Sequence, residues 1–415
     1  MLIATDKSRE INMARNKKAK YIAVPFLIIL YAFFLVNIAI PDEKISTVEN
    51  RTLTRKPGME DMNDGTYAEK YDKYYTDHFA FRNEMLRIYR RLEVALGKSV
   101  VGYYYLVDNN WILGMFPRIL TSAALDKYSG AINSLAEICS DMGNVKVYFT
   151  LLPHKTNMLK HLYPEYVNNK KNIDINKESF QSRLNPDLIT FLDTDGDMSN
   201  QFSGKELEKL YFKTDHHWNG TGAFEGFKRM AQKMDLGVSP EKLREHFSKY
   251  KMWKDTTKDF IGSYNSSLNM IVHEKEYPIF VYLEDQHYEF FQNHGGEDKR
   301  VKEENIIATS RHKKEWDYGG AYIRGDKCNI LKIKNSNALT NKKILVFRDS
   351  YQAPTTLMFA DLFRDVILID PRNISRIDMT YEEIIKTNDP DIVMFLYNSS
   401  GFDSMIINMI KKGIR

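Results

Sequence analysis

The chain has 415 residues, of which 43% are hydrophobic and 13% aromatic, so it is long enough to bury a large core. Its net charge of +4 comes from 59 basic and 55 acidic side chains without an arginine-rich stripe between aromatic residues, which argues against a nucleic-acid partner. Its two cysteines, Cys139 and Cys328, allow at most one disulfide and exclude both a disulfide framework and a cysteine-based metal clip.

The first predicted element is a membrane-spanning helix at residues 21–40, YIAVPFLIILYAFFLVNIAI, which carries no charged side chain. At about 1.5 Å per residue, a helix of this length crosses a hydrocarbon core of about 30 Å. Basic residues precede it in RNKKAK and acidic residues follow it, which predicts a cytoplasmic tail at 1–20 and an extracytoplasmic remainder. A cleaved signal peptide is the alternative. Because the segment is long and lacks a clear A-x-A site, we expect an uncleaved anchor in a bacterial cell membrane.

Residues 41–100 are predicted to form a stalk and a helical lead-in. The first part, 41–66, is polar and interrupted by proline and glycine. Residues 67–97 then show the spacing of two helices with a turn near Asp77, the second of them amphipathic. Next, SVVGYYYLVDNNWILG has the pattern of a β-hairpin that turns at 108–110.

Residues 101–415 are predicted to form one α/β domain with a parallel sheet flanked by helices. The reason is that short apolar runs alternate with helical patterns along this part of the chain. The polar region 250–340 is expected to add insertions and antiparallel pieces. The predicted strands are 146–153, 342–347, 365–370 and 391–397, and the predicted helices are 123–142, 222–234 and 381–387.

A candidate nucleophile follows the strand KKILVF, where the chain reads Arg348-Asp349-Ser350-Tyr351. A strand that ends in a short polar turn before a helix places the Ser350 hydroxyl at the carboxyl edge of the sheet, where ligands of open α/β folds bind. The following helix would aim N–H groups at a developing oxyanion. A serine in this position can also be a simple helix cap.

A candidate base lies in LYFKTDHHWNGTGAF, residues 210–224. Asp215 and His217 are two residues apart, so the carboxylate can orient the imidazole while its other nitrogen faces a hydroxyl. Trp218 is expected to form an apolar wall that fixes the imidazole ring.

A metal site is the competing interpretation of Asp215, His216 and His217. Adjacent histidines point in different directions, however, and the chain has no H-x-x-x-H or H-E-x-x-H pattern to support them. We therefore expect neither a metal nor a cofactor, and we expect His216 to be structural or to face the substrate.

Seven short motifs occur along the chain: ENRTL (49–53), DHFAFR (77–82), NNWILG (109–114), LPHK (152–155), DHHW (215–218), FIGSY (260–264) and RDSY (348–351). In this order they resemble the DHHW-type proteins, which are relatives of the alginate O-acetylation enzymes in the SGNH hydrolase-like superfamily. DHHW together with DSY is the specific part. The resemblance implies an SGNH-hydrolase-like α/β fold with a permuted motif order, in which the acid-x-His pair precedes the serine. Carried over, Ser350 is the nucleophile, His217 the general base and Asp215 its orienting acid.

The resemblance leaves the oxyanion and substrate contacts open. Arg348 stands where the alginate relatives tend to have glycine. The candidates for these contacts are the Ser350 amide, Gly262, Asn398, Lys155, Arg348, Tyr351, Trp218 and His216.

These observations predict a membrane-anchored O-acyltransferase, most simply an acetyltransferase, that modifies an extracytoplasmic polysaccharide. Acetyl-CoA is absent outside the cell, so the acyl group must arrive through another protein. The resemblance implies a multi-pass membrane acyltransferase as this donor. An esterase with the same triad and a non-catalytic glycan-assembly protein remain as alternatives.

Overall fold

The computed structural model describes residues 2–46, 51–294, 296–323, 330–374 and 377–413. They form two compact units: one extends to Leu96 and includes Asn269–Ile271, and the other comprises Gly97–Leu268 and the chain from Val272 onward. Cys139 is buried with a free thiol, and its possible disulfide partner Cys328 lies outside the described residues.

The first unit contains the long helix α1, and its segment Lys20–Ala39 is long and apolar enough to cross a membrane. A pair of helices follows further along, as the spacing of residues 67–97 predicts, and Phe81 turns the chain between them with a left-handed φ of 57°. The elements of this unit are α1 (Leu2–Ala39), β1 (Ile45–Ser46), β2 (Arg51–Thr52), α2 (Met59–Asn63), α3 (Tyr67–Asp77) and α4 (Arg82–Ala95).

The second unit is an α/β fold. Its strands are β3 (Val100–Val101), β4 (Tyr104–Val107), β5 (Trp111–Gly114), β6 (Lys146–Leu152), β7 (Ile189–Leu192), β8 (Lys251–Lys254), β9 (Phe260–Ile261), β10 (Ile279–Tyr282), β11 (Tyr288–Asn293), β12 (Lys299–Val301), β13 (Trp316–Asp317), β14 (Ile330–Asn335), β15 (Thr340–Arg348), β16 (Phe363–Ile369) and β17 (Ile392–Asn398).

Its helices are α5 (Ser122–Asp141), α6 (Lys155–Met158), α7 (Asn172–Gln181), α8 (Thr194–Gln201), α9 (Lys205–Glu208), α10 (Gly220–Lys233), α11 (Pro240–Ser248), α12 (Ser263–Ser267), α13 (Tyr318–Ala321), α14 (Thr356–Leu362), α15 (Tyr381–Asn388) and α16 (Phe402–Lys412), with 3-10 turns at Asp108–Asn110, Lys160–Leu162, Glu303–Asn305 and Ser350–Thr355.

Within the described residues, the central sheet has the strand order β12-β11-β14-β16-β15-β17-β6-β7. The neighbours from β16 to β7 are parallel, whereas β12, β11 and β14 pair in antiparallel fashion. This mostly parallel sheet confirms the predicted α/β class, and the antiparallel strands come from the polar region 250–340, as expected. The predicted hairpin around 108–110 is present as part of the small sheet β3-β4-β5.

The central strands are apolar runs because both of their faces are buried, and successive side chains point to opposite sides. In β15, Ile344 and Val346 enter one core, which contains residues of α10 and α14. Leu345 and Phe347 enter the other core, which contains residues of α5, α15 and α16. The parallel strands therefore end together at one edge, and the loops at that edge carry the polar motifs of the sequence.

Helix α10 packs very closely against the indole ring of Trp218. A Cβ atom at Gly226 would lie 2.6 Å from Cζ3 of Trp218, so only glycine fits at this position without a shift of the ring or the helix. Trp218 itself is fully buried. Because Gly226 has no side chain, the indole ring of Trp218 can pack directly against the backbone of α10.

We expect Gly226→Ala to lower the free energy of unfolding by about 1–3 kcal/mol, because overpacking forces a shift in a rigid core. Gly130→Ala, in the middle of α5, is the matched control, since its Cβ meets nothing within 4 Å. That variant should gain about 0.4–1 kcal/mol from the lower entropy of its unfolded chain. Urea denaturation followed by tryptophan fluorescence measures both values, and equal stabilities of the two variants would contradict the packing argument.

Candidate active site

Three polar side chains from two distant segments meet at the carboxyl edge of the sheet. Ser350 lies two residues after the end of β15 and begins a 3-10 turn, and its Oγ lies 2.9 Å from Nε2 of His217. The other ring nitrogen of His217, Nδ1, lies 2.6 Å from Oδ1 of Asp215. Hydroxyl, imidazole and carboxylate thus form one continuous hydrogen-bonded line.

The carboxylate of Asp215 fixes the imidazole in position and in tautomer. Oδ1 also accepts the backbone N–H of His217 at 3.0 Å, and Oδ2 accepts the N–H of Ser263 at 2.7 Å. With Nδ1–H donating to the carboxylate, Nε2 is the nitrogen that can accept the proton of Ser350. This is the arrangement that a general base for a serine hydroxyl requires.

Asp215 is ionised in this site although its side chain is only 1% exposed. Burial by itself would raise the pKa of the carboxyl group. The charges of His217 and His216 and the hydrogen bonds from His217 and Ser263 outweigh burial and hold the pKa well below its usual range. The carboxylate therefore stabilises positive charge on His217 when the imidazole takes up a proton.

The 3-10 turn that begins at Ser350, here called the serine turn, is held in place by the side chain of Asp349. Oδ1 of Asp349 accepts the N–H of Tyr351 at 2.8 Å. Oδ2 accepts two donors of Asn398, the backbone N–H at 2.7 Å and the side-chain amide at 2.6 Å. Asp349 thus caps the turn, as Asx residues commonly do, and ties it to the end of β17. Asn398, predicted as an oxyanion or substrate contact, uses one N–H of its amide for this tie.

The aromatic wall beside His217 is Tyr318, not Trp218. The Tyr318 ring lies parallel to the imidazole with a centroid distance of 3.6 Å and an interplanar angle of 6°. The predicted wall residue, Trp218, instead packs beneath Tyr351 and donates its indole N–H to the Tyr351 carbonyl at 2.9 Å. The reason is that the indole ring of Trp218 packs against α10. Tyr318, the first residue of α13, lies against the face of the imidazole ring instead.

Tyr351 connects two loops of the site. Its hydroxyl donates to the carbonyl of His216 at 2.5 Å and accepts the backbone N–H of Lys155 at 3.0 Å. The side chain is fully buried. Tyr351 was a candidate for the oxyanion or the substrate, and the structure uses its hydroxyl to join the loop after β6 to the DHHW segment.

Lys155 was predicted to contact substrate, but its side chain is 0% exposed. Its ammonium group donates to the carbonyls of Phe212 at 3.0 Å, Lys213 at 3.1 Å and Asp215. Burial lowers the pKa of Lys155, and the charges of Asp215 and Glu276 oppose that shift. Three acceptors match the three N–H groups of an ammonium ion, so none remains for a substrate.

Glu276 binds the backbone N–H groups of the same segment. Its carboxylate accepts the N–H of Lys213 at 2.6 Å, the N–H of Thr214 at 2.9 Å and the Thr214 hydroxyl at 2.5 Å. Lys155 and Glu276 therefore clamp residues 212–215 through opposite backbone groups. The segment that carries Asp215 is fixed by its main chain.

Gly262, a candidate oxyanion donor, has a packing role here. A Cβ at this position would lie 2.2 Å from the carbonyl carbon and oxygen of Thr214. Glycine thus permits the close approach that brings the N–H of Ser263 to Asp215. Arg348 is also buried, with NH1 3.9 Å from Oδ2 of Asp370, and this burial argues against the predicted substrate contact.

His216 is the member of the DHHW motif that reaches the surface, since 29% of its side chain is exposed. Nδ1 lies 2.9 Å from the Ser263 hydroxyl, and its ring packs on His217 at a centroid distance of 3.7 Å. Ligand atoms of Asp215, His216 and His217 lie within 4.8 Å of one another, so the three could approach one metal ion. The hydrogen bonds to Ser350 and Ser263 already use these atoms, which favours a proton-transfer site over a metal site.

Sequence reasoning did not find Tyr318, Glu276 or Ser263 as parts of the site. Tyr318 and Glu276 lie in the irregular region 250–340, where no strand or helix pattern indicated which side chains point inward. Ser263 reaches Asp215 through its backbone N–H, which any residue type except proline could supply. FIGSY was the one available signal, and it marked the correct segment.

A family model described as the SGNH hydrolase-like domain of acetyltransferase AlgX matches residues 131–300. The fold is similar to that of Bacillus cereus PatB1 with a sulfonyl adduct, at a TM-score of 0.61 and 22% identity over 72% of this chain and 96% of that chain. It is also similar to a DHHW family protein from Eubacterium siraeum, at a TM-score of 0.56 and 18% identity over 74% and 94%. No curated protein sequence matches the chain. The family match and these folds confirm the resemblance that the motifs indicated.

We expect Lys155→Met to lower the free energy of unfolding by about 3–5 kcal/mol, because it removes one partner of a buried charged network. Lys146→Met is the control, since Lys146 lies at the surface in an ion pair with Asp235 and such pairs contribute about 0–1 kcal/mol. Urea denaturation at pH 7 compares the variants. A loss below about 1 kcal/mol for Lys155→Met would contradict the clamp.

The Asp215 carboxylate should stabilise the fold in a pH-dependent way. Its folded pKa lies below the usual value of 3.8, so its contribution is present above pH ~4 and is lost as the pH falls through the folded pKa. The difference in free energy of unfolding between the native chain and Asp215→Asn should therefore shrink when the pH falls from about 5 to about 3. Denaturation curves across this range test it, and a constant difference would contradict the argument.

Proposed function

We propose that this protein is a membrane-anchored, extracytoplasmic O-acyltransferase, most simply an O-acetyltransferase, that modifies a cell-surface or exported polysaccharide. The observation that carries the proposal is the line from Ser350 Oγ to His217 Nε2 at 2.9 Å and from His217 Nδ1 to Asp215 at 2.6 Å. A serine with a base and an orienting acid is suited to acyl transfer through an acyl-serine.

The comparisons and the N-terminal helix support this choice of chemistry and place. The matched family is described by an acetyltransferase, AlgX, and the structurally similar PatB1 was solved with a sulfonyl adduct. Residues 21–40 would anchor the protein in the membrane, because Lys20–Ala39 has the length and composition of a membrane span.

In the first half-reaction, His217 Nε2 takes the proton of Ser350 as Oγ attacks the carbonyl carbon of the acyl donor. A tetrahedral oxyanion forms and collapses, the bond to the leaving group breaks, and His217 returns the proton to that group. Asp215 stabilises the imidazolium in between. The product is an acyl-serine ester and a released donor.

In the second half-reaction, a sugar hydroxyl gives its proton to His217 and attacks the acyl-serine. Collapse of this second tetrahedral intermediate forms the sugar ester, and the proton returns to Ser350 Oγ. Our candidates for the oxyanion donors are the N–H of Ser350 at the start of its turn and the second N–H of the Asn398 amide. His216, as the exposed neighbour of His217, is our candidate for contact with the acceptor.

The acyl donor is a separate protein in this scheme. No acyl-CoA is available outside the cell, so a multi-pass membrane acyltransferase would deliver the acyl group to Ser350. The anchor would keep both proteins in one membrane.

We expect Ser350→Ala to lower the rate of acyl transfer by about 10⁴-fold or more, as removal of a triad member does. The measurement is release of p-nitrophenol from p-nitrophenyl acetate, together with the mass of the trapped acetyl-enzyme. Ser404→Ala, at an exposed position of α16, is the control and should retain full activity. Near-native turnover by Ser350→Ala, or failure of a serine-reactive phosphonate to label Ser350, would overturn the proposal and favour a non-catalytic protein.

The same assay separates a transferase from an esterase. If a sugar hydroxyl is the natural acceptor, an added oligosaccharide should speed loss of the acetyl-enzyme and become acetylated. Hydrolysis that is unchanged by every oligosaccharide tested would favour the esterase.

A further inference from the structure

Helix α4 carries an apolar side that the described protein leaves uncovered. The side chains recur at the i, i+3, i+4, i+7 spacing that defines one face of a helix. They are between 37% and 69% exposed. We call this face the α4 stripe; it consists of Met85, Ile88, Tyr89, Leu92 and the following Leu96.

The start of this helix is fixed against the apolar segment of α1. In the turn between α3 and α4, the Phe79 ring stacks on Phe33 with a centroid distance of 5.8 Å and an interplanar angle of 13°. The N–H of Ala80 donates to Oδ1 of Asn37 at 2.9 Å. Phe33 lies six residues before the end of α1 at Ala39, or about 9 Å along the helix axis. The turn therefore lies beside the last two helical turns of the candidate membrane span.

The composition around the stripe is that of a membrane–water interface. Tyr71 and Tyr75 of α3 and Phe81 in the turn are exposed aromatic residues, and tyrosine is enriched where membranes meet water. By helical spacing Arg87 and Arg91 lie on the other side of α4, away from the stripe, and Arg87 also donates its Nε–H to the carbonyl of Asn269 at 3.0 Å. An apolar face opposite a basic face is the pattern of helices that lie within the interface.

We propose that α4 lies in the outer interface of the membrane, with the α4 stripe against the acyl chains and its arginines among the lipid headgroups. The partner is thus a lipid surface. A lipid surface is favoured over a protein partner because the turn fixes the first residue of α4 at the level of the span. The stripe begins at Met85, in the first turn of α4, and so it starts close to the contact of the turn with α1. This inference rests on the membrane anchor of the proposed function.

Site-directed spin labelling of the full chain tests the inference. Cys139 and Cys328 are replaced by alanine, and single cysteines are introduced by Leu92→Cys in the stripe and by Val94→Cys as the control. Val94 is exposed and apolar, and it points about 200° away around the helix. Leu30→Cys, within the span, gives the membrane reference. The labelled chains are placed in nanodiscs of phosphatidylcholine and phosphatidylglycerol, and collisions with oxygen and with a water-soluble nickel chelate are measured.

We expect the label at 92 to resemble that at 30, with frequent oxygen collisions and few nickel collisions, and the label at 94 to show the reverse. If 92 collides with nickel as often as 94 while 30 stays protected, α4 lies in water and the inference fails, although the anchor stands. Protection of 92 from both reagents would mean that protein covers the stripe, which also overturns it. Exposure of 30 to nickel would remove the anchor and the inference together, while the chemistry of Ser350 would remain testable by its own assay.

Discussion

The site depends on the way in which the short segment before His217 is held. Residues 212–215 lie in no strand or helix, so their backbone groups need partners from elsewhere in the buried interior. A lysine supplies the donors and a glutamate the acceptors. Burial lowers the pKa of the lysine, and the negative charges of Glu276 and Asp215 oppose that shift and favour its protonated form. The segment thus holds the buried Asp215 carboxylate where the charges of His217 and His216 and the N–H of Ser263 keep its pKa below the usual range.

The parallel sheet supplies the other half of the geometry. Strands β6, β15 and β17 are neighbours that run in the same direction, so the residues that follow them meet at one edge. Lys155, Ser350 and Asn398 come from these three ends. Asp349 and Tyr351, on either side of the serine, then join the serine turn to β17 and to the loop after β6. Ser350 is therefore positioned by its two neighbours in sequence, each of which is bonded to a different strand end.

The part of this arrangement that follows from residue type and period could be predicted from the sequence. The apolar runs of β6, β15 and β17 and the pairing of an acid-x-His motif with a serine turn belong to this part. Roles that depend on orientation could not be predicted. Lys155 and Arg348 are charged residues at strand ends, which favours a surface position, yet both point inward to backbone carbonyls or to a buried carboxylate. Helix α7 was missed because its inward positions Ile173, Asn176 and Phe180 include a polar residue, and this breaks the apolar period.

The position of β15 in the sheet determines when, during synthesis, the strands around Ser350 can pair. His217 precedes Ser350 by 133 residues, and β15 lies between β16 and β17, which are both made after it. During synthesis, the segment that carries His217 is therefore made well before the strands that flank the turn at Ser350. Only when the chain has been extended through residue 398 can the flanking strands close around β15. A chain that stops before residue 398 therefore lacks the strand β17 to which the turn at Ser350 is bonded.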